Sequence, residues 1–176
     1  MKSRNILVGL IFLALLANTG FNIFLFYNLS KIYMINGDFR PDILLNEVQK
    51  KIESDELEIP PVEIFKFISA DIYAKDYVMF TGKKIVIFLN LNVLGNLNDG
   101  ELKALIAHEI GHYVLGHLSD RPRTFNGTEA GDLKQEKDAD SFAAKYEGSE
   151  SIALAISKLV WDENEKKTRL SALGVN

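Results

Sequence analysis

The sequence predicts an α+β domain, a small antiparallel sheet followed by capped helices, carried on one apolar amino-terminal helix. Three observations predict it. Val62–Ser69, Ile72–Phe80 and Lys84–Leu89 are rich in Val, Ile, Phe and Tyr, as strands are. From Asn98 onward the chain shows helix-start signals and helical periodicity. Residues 6–29 form an apolar block without a single charge.

The apolar block, Ile6 to Leu29, would span roughly 36 Å as a helix, enough for a bilayer core of about 30 Å. Asn18, Thr19, Gly20 and Asn22 interrupt it only mildly, and Tyr27 and Tyr33 suit an interfacial belt. A single-pass anchor is favoured. A cleaved signal peptide is the rival, with Lys2 and Arg4 as its basic region and Ile6–Ala17 as its apolar region. Against cleavage, the small-residue pattern around Leu16 is poor and the apolar run resumes at Phe21–Leu29. A buried core helix is the third reading, made unfavourable by 24 uncharged residues in a row. The short basic tail favours an extracytoplasmic position for the rest of the chain. Residues 1–30 are thus expected to be an anchor and residues 31–176 the functional domain.

Hydrophobic residues make up 47% of the chain, enough to build a core in that domain. All 24 acidic residues follow residue 30, against 18 basic ones there, a net of −6 that argues against a nucleic-acid partner. Without cysteine, a thiol nucleophile, a disulfide framework and a Cys-ligated zinc site are excluded.

Within 31–176, Pro41 opens a helical pattern through Ile43, Leu44, Val48, Ile52 and Leu57, which Pro60–Pro61 ends. Thr81–Gly82 reads as a hairpin turn between the last two strands. Asn98 with Glu101 has the form of a capping box, predicting a helix from about Asp99 to Leu118. Arg121–Gly131 reads as a loop. Asp132 is placed as the cap of a second long helix ending near Gly148, and Ser149 as the cap of a third running to about Lys167.

The string Ala107-His108-Glu109-Ile110-Gly111-His112 carries the chemistry. On a helix, His108 and His112 project from one face and can grip one Zn²⁺ ion. Glu109 then sits beside the metal as the general base for a water that the metal activates. The bland alternative is a helix with two incidental histidines. All three histidines of the chain fall within ten residues, which weakens it.

A catalytic zinc needs a third protein ligand. His117 lies about 180° round the helix from His108 and cannot share the metal unless the helix breaks at Gly116. It is expected to cap the helix end, with a lesser chance of a catalytic role. The spacing HExxHxxGxxH is ruled out, because Leu115 and Leu118 stand where it needs Gly and His. Glu136 is the favoured ligand, with Asp138 as fallback. Asp140, one turn on, is expected to accept the free N–H of a ligating imidazole. The competing reading of these carboxylates is a solvated acidic helix face.

Glu101 to His112 resembles the active-site helix of the HtpX and CAAX-prenyl-protease family of gluzincins. Glu136-x-x-Ala139-Asp140-x-Phe142-Ala143-Ala144 looks like that family's glutamate-ligand helix. The resemblance covers about residues 62–160. It implies a zincin-like core, small antiparallel sheet plus active-site helix and glutamate-ligand helix, with one Zn²⁺ per chain and a protein or peptide substrate. It makes Lys84–Leu89 an edge strand above the cleft and Arg169 a candidate helper of the site. The family's Asn-Ala-aromatic string is replaced here by Ala74-Lys75-Asp76-Tyr77. With one span, a prenyl-substrate chamber is not implied. A second resemblance, to ImmA/IrrE-like proteases that cut repressors, has asparagine where this chain has Asp140 and lacks the apolar anchor. A membrane-tethered binding module of zincin fold without turnover is the non-enzymatic alternative.

Overall fold

The computed structural model describes residues 32–33, 40–69, 77–80, 83–117 and 130–175. The expected anchor, the Thr81–Gly82 turn and most of the 121–131 loop lie outside them. Among the described residues no helix is long and apolar enough to cross a membrane.

Four strands form one sheet: β1 (Ile32–Tyr33), β2 (Val62–Ser69), β3 (Tyr77–Phe80) and β4 (Ile85–Asn90). Six helices are present among the described residues: α1 (Arg40–Glu53), α2 (Leu91–Leu94), α3 (Asp99–Val114), α4 (Ala130–Glu147), α5 (Ser149–Leu159) and α6 (Glu163–Ala172). Helix α1 carries Pro41 and Asp42 in its first turn and Lys50 and Lys51 in its last, matching the helix dipole. It buries Leu44, Leu45, Val48 and Ile52 on one stripe.

The α+β class holds, but the sheet is not antiparallel throughout. Its order is β1-β2-β4-β3, and the central pair β2–β4 is parallel, with Val62 opposite Ile85 and Phe67 opposite Asn90. Antiparallel pairing is confined to β1–β2 and β3–β4. The alternation of apolar residues records which face of a strand is buried, not its direction, so the pattern was blind to this. Strand β4 also proves internal rather than an edge. Its residues are buried almost without interruption, as a strand covered on both faces requires. Strand β3 is the edge on that side among the described strands.

Helix α3 runs through the middle of the domain and buries Leu102, Ile106 and Ile110 against the sheet and the other helices. Its capping box forms as expected. Asn98 Oδ1 accepts from the Glu101 N–H at 2.9 Å, and Glu101 Oε2 accepts from the Asn98 N–H at 2.9 Å. Lys158 of α5 donates to both Glu101 oxygens, at 2.8 and 2.7 Å, and ties this helix start to α5.

The carboxyl-terminal helices depart from expectation twice. Helix α4 begins at Ala130, so Asp132 lies inside it and is no cap. The single helix expected over 149–167 is two. Val160 turns extended, and Asp162 caps α6 by accepting from the Glu165 N–H at 2.8 Å. The break lets α6 turn back to pack on α4 and α5.

Helices α3 and α4 pack closely because small residues face each other. Ala107, Ala139 and Ala143 are fully buried, and Gly111 lies against Phe142. A Cβ added at Gly111 would meet Phe142 side-chain carbons at 3.0–3.2 Å, one of them its own Cβ, which cannot swing away. Gly111→Ala is therefore expected to lower stability by about 1–2 kcal/mol despite alanine's better helix propensity. Chemical denaturation would show it as a lower midpoint; an unchanged or higher midpoint contradicts the close-packing account.

Candidate metal centre

The centre is built from one turn of α3 and one turn of α4. His108 and His112 stand one turn apart on α3, both nearly fully buried. Their Nε2 atoms lie 3.0 Å from each other. Glu136 of α4 faces both, with Oε2 at 3.2 Å from His108 Nε2 and Oε1 at 3.5 Å from His112 Nε2. One ligand atom from each of the three residues falls within 4.8 Å of the other two. A tetrahedral zinc with ligands at about 2.0–2.1 Å spaces those atoms by about 3.3 Å. The donor set and its spacing therefore fit zinc without rearrangement. Glu109 lies between the two histidines in sequence and is 6% exposed.

A second layer of contacts holds these groups. Asp140, with no exposed surface, brings Oδ1 to 3.0 Å from His108 Nδ1, obliquely to the ring N–H. Arg169 of α6 grips Asp140 with two bonds, Nε to Oδ2 at 2.8 Å and Nη2 to Oδ1 at 2.7 Å. Its Nη1 reaches Glu136 Oε2 at 3.1 Å and donates to Glu165 at 3.1 Å. Arg169 is thus placed against a candidate ligand and against that ligand's neighbour. Asp138, the fallback ligand, pairs with Lys134 at 2.6 Å and stands apart from the cluster. Glu165 was missed by sequence reasoning. Its spacing of four from Arg169 was a readable sign of an ion pair, though not of where the pair points.

His117 lies just past the end of α3. Helix α3 ends at Val114, and Gly116 adopts φ +73°, so the chain breaks where sequence geometry said it must for His117 to approach the site. The ring is brought to the outer side of His112, with the two Nδ1 atoms 3.1 Å apart, and is not one of the three groups that converge.

Burial works against charge on His108, Glu136, Asp140 and Arg169, and their pairings overcome it. Burial pushes the His108 imidazole down, but Asp140 and Glu136 outweigh it and raise its pKa to about 10. Burial pushes Glu136 up, yet the hydrogen bond with His108 and the charges of His112 and Arg169 hold its carboxyl well below the usual range. Asp140 is likewise held low, against burial, by His108 and Arg169. Burial acts to lower the Arg169 pKa, and Asp140, Glu136 and Glu165 together outweigh it and hold the guanidinium charged.

Residues 44–124 match peptidase family M48. The match bears out the resemblance to the HtpX and CAAX-prenyl-protease group and supports a metalloprotease. It includes His108, Glu109 and His112 and stops before α4, so the placement of Glu136, Asp140 and Arg169 stands on geometry. Among solved structures, the crystal structure of S. mikatae Ste24p is similar in fold, with a TM-score of 0.51 at 19% identity. The likeness covers 96% of this chain and 56% of that one, so the chain spans little more than half of Ste24p. No curated protein matches the chain.

A pH linkage follows from the raised pKa of His108. Without metal, the charged imidazole contributes stability fully below its ordinary pKa of 6.5, and that contribution is lost as pH rises through about 10. Zinc needs the neutral ring, so it must displace the proton at neutral pH. Calorimetric titration with Zn²⁺ at pH 7 in buffers of different ionisation enthalpy is expected to show release of about one proton per ion bound. Binding heats that do not depend on the buffer, meaning no proton released, would contradict the linkage.

Proposed function

We propose that this chain is a zinc-dependent metalloendopeptidase, tethered to a membrane by residues 6–29, with His108, His112 and Glu136 as ligands and Glu109 as general base. The observation that carries the reading is the convergence of three ligand atoms from two buried helices within 4.8 Å, next to a buried carboxylate. A zinc ion held by these three residues would supply an activated water, with its pKa lowered toward about 7, and a Lewis acid for the scissile carbonyl. Glu109, following the first ligand on the same turn, takes the proton of the attacking water and passes it to the departing amine. Asp140 orients His108, and Arg169 keeps Asp140 ionised and Glu136 aimed.

The substrate is an extended stretch of protein or peptide. Such a segment can add to an open sheet edge, and β3, rather than β4, offers that edge beside the helix layer. The uncharged apolar block supports the tether, and its basic flank supports an extracytoplasmic domain. The tether favours this reading over a cytosolic repressor-cutting protease. The intact Glu109 favours it over a binding module without turnover.

Metal analysis of the purified protein is expected to find one zinc per chain in the wild type and none in Glu136→Ala. Glu109→Gln is expected to keep its zinc and to cleave an unfolded protein substrate at least about 100-fold more slowly. Wild-type cleavage by Glu109→Gln would overturn the mechanism, and full zinc in Glu136→Ala the ligand set. For the tether, the chain is expected to sediment with membranes and to leave them in detergent but not in high salt. Release by salt alone would remove the membrane part of the reading.

A further inference from the structure

Helix α3 ends in a way that does more than stop it. Leu115 is the last residue near helical geometry, and Gly116 takes the left-handed φ of +73°. The Gly116 N–H then donates to the Tyr113 carbonyl at 3.0 Å and the His117 N–H to the His112 carbonyl at 2.8 Å. This crossed pair is the Schellman arrangement, which lays the second residue past the helix back over the residue three from its end. In this motif an apolar contact frequently fills that place. Here it is two imidazoles, His117 over His112, with ring centroids 5.2 Å apart and planes tilted by 64°. A continuous helix would have put His117 about 140° away from His112. The turn makes the contact, and the backbone of His117 already serves the helix end, leaving its ring for another task.

We propose that His117 is a positioning residue, whose Nδ1 accepts a hydrogen bond from the His112 Nδ1–H and so fixes the tautomer and ring angle that present His112 Nε2 to the metal. The inference rests on the zinc reading of the site. A histidine that ligates through Nε2 carries its proton on Nδ1 and needs an acceptor there. His108 turns its Nδ1 to Asp140 at 3.0 Å. His112 turns its own to His117 at 3.1 Å, and His117 accepts when its proton sits on Nε2. The two imidazoles thus have different outer supports.

The test compares zinc affinity, measured by competition with a chromophoric chelator, in the full chain and two variants. His117→Phe keeps the ring and removes the acceptor, and is expected to weaken zinc binding about 10–100-fold. His117→Asn restores an oxygen acceptor close to the Nδ1 position and is expected to stay within about threefold of wild type. In parallel, the zinc-loaded wild-type chain, ¹⁵N-labelled at histidine, is expected to show a scalar coupling across the N–H···N bond between the two Nδ1 atoms. Equal affinity of wild type and His117→Phe overturns the positioning role and leaves the zinc centre standing. A wild type that binds no zinc overturns both. If His117→Phe does not fold, the coupling decides alone: its presence supports the proposal and its absence overturns it.

Discussion

The centre depends on how closely α3 and α4 approach. Two imidazoles on one helix and a carboxylate on another can share an ion only if the helix axes are near enough for short side chains to meet. Gly111 lies between the two ligand turns and receives Phe142, while Ala107, Ala139 and Ala143 thin the rest of the contact. These small residues look like poor core material, since each buries little apolar area. Their contribution is distance. The area lost there is made up on the other sides of α3, where Leu102, Ile106 and Ile110 are completely buried.

Close packing then creates an electrostatic demand. Glu109 and Asp140 are buried and Glu136 nearly so, and anions taken out of water are costly unless paired. Arg169 answers for two of them, holding Asp140 with a planar fork and touching Glu136 with the remaining nitrogen. A lysine has no such fork, so its single ammonium could not satisfy both carboxylates in this geometry. The pairing also makes α6 part of the site, although Arg169 lies 29 residues beyond Asp140 in the chain. The break at Val160–Asp162 is what allows this, because a helix running straight from Ser149 would have carried position 169 away from Asp140.

What could be read from the sequence divides along physical lines. His108, Glu109 and His112 were legible because helix periodicity alone fixes their mutual placement. The capping box at Asn98 and the spacing of Glu136 from Asp140 were legible for the same reason. Sheet direction was not, because alternation carries no information about polarity. The Arg169 fork was not, because it joins side chains 29 residues apart through tertiary packing. The split between α5 and α6 is a different case. Asp162 and Glu165 repeat the cap-then-carboxylate form of Asn98 and Glu101, so the signal was present and the strong periodicity of 149–159 masked it. His117 fell between the two: its distance round the helix was right, and the left-handed glycine beside it carried the exception.

The groups of the candidate site are spread unevenly along the chain. Among the described residues, the three that converge and the side chains shown holding them lie between His108 and Arg169. The fold likeness to Ste24p extends over nearly all of this chain and little more than half of that one. The spread of the groups has a cost in autonomy. Asp140 and Glu136 are held from outside the two motifs by the Arg169 guanidinium on α6, so α6 must be folded before the second motif has that part of its charge compensated.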